Sequence, residues 1–212
     1  MAKKVLFFGD SITDGGRVYN DTKLLPRDTW MGYGYVTMTA AELGFENPGK
    51  YQFFNRGISG NRVSHLYSRL NEDVVSIAPD YLSILIGIND FATKIESFEK
   101  IYDILVGDII EALPNVKIMI LEPFFSEGFC TNNTDEDKDR LERYREKCPQ
   151  IAAAAKRIAQ KYNLKFVPLQ EKFDELCNKY GHSCFSVDGI HPNAAGHNLI
   201  KNEWIKAFKE ME

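Results

Sequence analysis

The chain has 212 residues, of which 44% are hydrophobic and 26% charged, so it can bury a substantial core as one globular domain spanning residues 1–212. Its formal net charge of −4 supplies no electrostatic pull toward nucleic acid or an anionic membrane surface. Two lysines precede an apolar run of only four residues, too short for a signal-peptide core, and no apolar stretch approaches the roughly 20 residues of a membrane span. The sequence therefore reads as cytoplasmic. Cys130, Cys148, Cys177 and Cys184 match no zinc or CxxC spacing and are expected to be reduced thiols.

Val5–Gly9 is a continuous apolar run and predicts a buried strand. Tyr33–Leu43 follows as a helix and Tyr51–Asn55 as a second strand. Arg62–Ile77 has helical spacing, with Val63, Leu66, Leu70, Val74 and Ile77 on one face. Tyr81–Ile86 is the third strand, Ser97–Leu113 a helix and Val116–Leu121 the fourth strand. Ser126–Asp137, polar and bearing Gly128 and paired asparagines, reads as a flexible loop. Asp135–Tyr162 predicts a long helix that Cys148-Pro149 kinks or splits. Leu164–Val167 is a fifth strand, and Phe173–Tyr180 and Ala194–Phe208 are the closing helices. The alternation predicts an α/β fold with a central parallel sheet of about five strands between two helical layers.

Ligands of open α/β sheets bind at the carboxyl ends of the strands. The first strand ends in Gly9-Asp10-Ser11, the second in a loop holding Gly57 and Gly60, and the third in Gly87-Ile88-Asn89-Asp90. Asp188-Gly189-Ile190-His191-Pro192 precedes the last helix and can reach the same rim. These are the parts acyl transfer needs. A serine hydroxyl is a weak nucleophile and requires a base, histidine suits that task, and an acid fixes the imidazole tautomer. Two residues separate Asp188 from His191, so one tight loop can hold both. The tetrahedral oxyanion needs donors, and the N–H groups of Ser11 and Gly57 with the amide of Asn89 are the candidates.

Taken singly, each part has a plainer reading. Ser11 could be a helix N-cap with Asp14 three residues on, and Asn89 or Asp90 could cap or turn. Asp10 is expected mainly to hold the turn, with substrate contact as its alternative role. His65, His182 and His197 have no matching partners and read as structural or surface residues. The run from Gly15 to Tyr35 carries Arg17, Tyr19, Arg27, Trp30, Tyr33 and Tyr35, a set suited to a sugar pocket or an oligomer contact. Phe124 and Phe125, after the fourth strand, are placed to border the pocket. Arg17, Trp30, Tyr33, Phe124 and Asp10 are thus the candidate substrate contacts.

Gly9-Asp10-Ser11, Gly57, Gly87-x-Asn89-Asp90 and Asp188-x-x-His191 resemble, in order, the four motif blocks of the SGNH (GDSL-type) hydrolases. The resemblance implies a three-layer, flavodoxin-like α/β/α fold and ester hydrolysis without a metal or other cofactor. It implies Ser11 as nucleophile, His191 as base, Asp188 as orienting acid, and Ser11, Gly57 and Asn89 as the oxyanion hole. The family's usual leucine is Ile12 here, a change that keeps size and polarity. The stretches FFGDSITDGGR, NRGISGNRV, LIGINDF and EPFF are similar to the intracellular bacterial carbohydrate acetylesterases of this family, the acetylxylan-esterase branch in particular. That likeness implies an acetylated sugar or oligosaccharide as substrate and leaves room for a homo-oligomer. A lysophospholipase or thioesterase acting on longer acyl chains is the alternative enzyme. A carbohydrate-binding module that keeps the fold without catalysis is the non-enzymatic one.

Overall fold

The computed structural model describes residues 1–18 and 31–212. Five strands form one parallel sheet: β1 (Lys3–Gly9), β2 (Tyr51–Gly57), β3 (Tyr81–Leu85), β4 (Lys117–Leu121) and β5 (Lys165–Val167). Their order is β2-β1-β3-β4-β5. The chain starts in the middle of the sheet and reverses direction at β1, so β1 and β3 flank the switch point where such sheets bind ligands.

Side chains alternate across β1, and each parity meets its own helical layer. Val5 and Phe7 pack with α2 (Tyr35–Glu46), α6 (Gln170–Tyr180) and α7 (Ala194–Met211). Leu6 and Phe8 pack with α3 (Val63–Ser68), α4 (Ile95–Ala112) and α5 (Arg140–Lys161). The first layer is aromatic: Phe7 stacks on Trp204 at 5.0 Å, and Trp204 on Phe208 at 4.9 Å. The expected three-layer α/β/α architecture is therefore present.

Two helices differ from the sequence pattern. The stretch 62–77 is not one helix: α3 ends at Ser68, and a wide turn over Asn71–Val75 follows. The apolar face is kept, with Leu66, Leu70 and Val74 buried. The break lies at Arg69, whose guanidinium is drawn to the strand ends. Helix α5 runs unbroken through Pro149 and starts at Arg140, with the charged residues before it in turns. Among the described residues, no helix is long and apolar enough to cross a membrane. All four cysteines are free thiols.

Candidate active site

Gly9 ends β1 where no side chain fits: a Cβ there would lie 2.3 Å from Thr13 Oγ1 and 2.5 Å from the Leu85 carbonyl. The chain then enters the single helical turn α1 (Ser11–Asp14). Asp10, not Ser11, is its N-cap, accepting from the Ile12 N–H at 3.0 Å. Ser11 is freed from capping, and its own N–H has no partner among the described residues.

The loop before α7 supplies the rest. His191 Nε2 lies 2.9 Å from Ser11 Oγ, and His191 Nδ1 lies 2.7 Å from Asp188 Oδ2. Asp188 Oδ1 accepts from the N–H groups of Ile190 at 2.9 Å and His191 at 2.8 Å. Burial pushes the Asp188 carboxyl up, but these donors and the imidazole outweigh it and hold it below the usual range. Asn193 then caps α7 through the N–H groups of Ala195 and Gly196. Residues 180 positions apart in the chain thus meet at one hydrogen bond.

The oxyanion donors need one correction. The Gly57 N–H is buried and donates to Asn55 Oδ1 at 2.8 Å, so it is spent on the fold. Gly57 is a glycine because α1 packs on it: a Cβ would lie 2.1 Å from the Asp14 nitrogen. Gly60, in the same loop, has φ +77° and open space around its Cβ position. Its N–H has no partner among the described residues. Asn89 reaches that loop, donating one amide hydrogen to the Asn61 carbonyl at 3.0 Å and keeping the second.

Residues outside the proposed chemistry fix this loop. Asp14 accepts from Ser59 N–H at 3.1 Å, and Asp90 from Val63 N–H at 3.1 Å. Asn55 donates to the carbonyls of Thr13 and Met31, both at 2.8 Å. Arg69 ties the ends of β1 and β2 together, donating to the carbonyls of Gly9 and Arg56 and to Asn61 Oδ1. Asp73 pairs with it at 2.5 Å. A mid-helix arginine ordinarily reads as a solvated surface residue, which is why periodicity does not reveal Arg69.

The candidate substrate contacts divide. Trp30 lies outside the described residues, as do Tyr19 and Arg27. Tyr33 is 78% exposed, and its N–H donates to the Gly15 carbonyl. Arg17 donates through Nε to the Gly57 carbonyl at 2.8 Å and so braces the end of β2. Phe124 is buried and stacks on Phe173 at 4.1 Å, which makes it core and not pocket. Phe125 borders a cavity of about 500 Å³ with Glu122, Arg145, Lys156, Gln170 and His182, but that cavity contains no triad residue. His182 accepts from the Glu127 N–H, His197 from the Tyr35 N–H, and His65 from the Arg62 N–H, each a structural duty. Among the described residues, no cluster of three or more His, Cys, Asp or Glu could hold a metal ion.

Asp10 is buried beneath the turn that carries Ser11 and is closed to substrate. Burial pushes its carboxyl up to about 7 against the pull of the Ile12 N–H and His191. The folded state then holds a proton that the unfolded chain releases, so this group's contribution to stability falls as pH rises from about 4 to about 7. Asp10→Asn abolishes the titration and keeps an acceptor for Ile12. The melting-temperature difference between the variant and the parent should shift in the variant's favour by about 5–10 °C from near pH 5 to near pH 8. Thermal melts at the two pH values check this, and a constant difference would contradict it.

The model of the GDSL-like Lipase/Acylhydrolase family matches residues 7–199. An acetylxylan esterase of Geobacillus stearothermophilus is 31% identical over 215 residues, covering 96% of this chain and 93% of the relative. Among solved structures, a catalytic mutant of an acetylxylan esterase from the same organism superposes with a TM-score of 0.80 at 28% identity, covering 98% of this chain and 95% of the other. An alpha/beta hydrolase enzyme from the metagenome of Lake Arreo, Spain, also gives 0.80, at 30% identity over 100% and 98% of the two chains. With the family pattern running almost from end to end, the chain belongs to the GDSL-like lipase/acylhydrolase family and is a carboxylic ester hydrolase.

Proposed function

We propose that this esterase removes acetyl groups from carbohydrate, through an acyl-enzyme on Ser11. One observation carries the mechanism: the His191 imidazole bridges Ser11 Oγ at 2.9 Å and Asp188 Oδ2 at 2.7 Å. His191 takes the hydroxyl proton through Nε2 as Ser11 attacks the ester carbonyl. The imidazolium that forms is stabilised by Asp188 and then protonates the departing sugar oxygen, which leaves as a hydroxyl. Water, activated by the same imidazole, attacks the acyl-enzyme and releases acetate. The N–H groups of Ser11 and Gly60 and the free amide hydrogen of Asn89 hold the oxyanion in both steps. Tyr33 is offered as an aromatic surface for the sugar ring, and the acetylated-sugar assignment draws on the acetylxylan esterase relative.

A longer acyl chain is the second reading. Phe129 is 84% exposed and Val187 72% exposed, and both stand next to the acid–histidine loop. Gly128 is pressed against Asp188 and Gly189, which brings Phe129 to that edge. Rates on aryl acetate and aryl octanoate, with acetate release from acetylated xylo-oligosaccharides, decide between the two. The acetylesterase reading expects kcat/KM on the acetate to exceed that on the octanoate by about tenfold or more, a difference of ~1.4 kcal/mol in barrier. Preference for the octanoate, with no acetate released from the oligosaccharide, would overturn it.

A further inference from the structure

The first part of the loop after β4, expected to be flexible, is bound to the acid–histidine loop. Ser126 N–H donates to the Gly189 carbonyl at 2.7 Å, and Cys130 N–H donates to the Asp188 carbonyl at 2.7 Å. Thr131 Oγ1 donates to the Ser126 carbonyl at 2.7 Å and closes the turn between these two contacts. Gly128 has no side chain because a Cβ would lie 2.4 Å from the Asp188 backbone. At the end of this clamp, the Cys130 thiol points back at the carboxylate, with Sγ 3.5 Å from Asp188 Oδ2. That oxygen is the one that meets His191 Nδ1.

We propose that Cys130 is a positioning residue for the esterase reaction, its thiol setting the orientation and basicity of Asp188. A carboxylate offers about four lone-pair positions. Three are taken by Ile190 N–H, His191 N–H and the imidazole, and the thiol occupies the fourth. Burial, then the negative charge of Asp188, push the thiol up, which keeps it a protonated donor. Arg140 and Tyr144 are the other ionisable groups that bear on it. A donor on Oδ2 competes with the imidazole for the charge there. Removing it leaves a more basic carboxylate that favours the imidazolium, and it also frees the carboxylate to rotate. The first effect moves the acid limb of the pH–rate profile to higher pH, and the second lowers kcat. This inference rests on the triad assignment above.

Cys130→Ala keeps the backbone clamp, so it tests the thiol alone. On an aryl acetate, C130A should lose about 3- to 10-fold in kcat with KM almost unchanged, and its acid limb should move to higher pH. Cys130→Ser restores a donor and should recover most of kcat and return the acid limb toward the parent. A C130A enzyme with parental kcat and an unmoved acid limb would overturn the proposal. So would equal losses in C130A and C130S with unmoved acid limbs, since the thiol would then only fill space. Ser11→Ala belongs in the same series. Turnover surviving in S11A overturns the triad assignment, whereas an inert S11A beside an unmoved C130A profile overturns the role of Cys130 alone.

Discussion

Replacing Ser11 with alanine is expected to lower kcat on an aryl acetate by about 10⁴- to 10⁶-fold, with the fold intact. Among the described residues the Ser11 side chain makes one hydrogen bond, to His191, and the capping of α1 belongs to Asp10. Its loss removes the proposed nucleophile without loosening the turn. The proposed oxyanion donors are two backbone N–H groups and Asn89, and all survive the substitution. A residual rate of about 10³–10⁴ over water is therefore expected, as in triads that keep their oxyanion hole. Steady-state kinetics of the variant, with a thermal melt to verify folding, measure this. A loss below tenfold would mean that another group attacks the ester.

Asp188→Asn is expected to cost about 10⁴ in kcat, although the change is nearly isosteric. The reason lies in the two oxygens. Oδ1 accepts from the N–H groups of Ile190 and His191, while Oδ2 faces His191 Nδ1. An asparagine has one oxygen, and the two backbone donors claim it. Its amide nitrogen then faces Nδ1 and donates to it, which drives the imidazole proton onto Nε2. Nε2 can no longer take the Ser11 proton. The pH dependence follows the same logic. Asp188 is held below the usual carboxylate range, so its protonation lies well to the acid side of the working range. The steady-state kcat of D188N checks the claim, and activity within tenfold of the parent would show that the acid is dispensable.

The strands and the rim of the site were legible because they depend on local pattern. Val5–Gly9 and Tyr81–Ile86 are apolar runs that only a doubly covered sheet can hold, and each is followed directly by small polar residues. What the pattern does not contain is which atom of a loop is already engaged. Gly57 and Gly60 look alike in sequence, yet Asn55 consumes the N–H of one, while the other has no partner among the described residues. Phe124 and Phe125 are equally apolar neighbours beyond the end of β4, and only the position of Phe173 decides which is core. Arg69 ends a helix that periodicity would extend, because its guanidinium finds the carbonyls of Gly9 and Arg56. The polar loop after Ser126 suggested mobility, and its partners lie some sixty residues further along the chain. Apart from the Asn55–Gly57 contact, which spans two residues, the deciding contacts are tertiary.

The most direct measurement is intact and peptide mass spectrometry after brief treatment of the folded protein with a fluorophosphonate ester. One phosphonyl adduct per chain, mapped to Ser11 and lost when His191 is replaced by alanine, is the expected result. A folded, ester-hydrolysing enzyme that takes up no adduct at Ser11, or takes it up at another residue, would contradict the account.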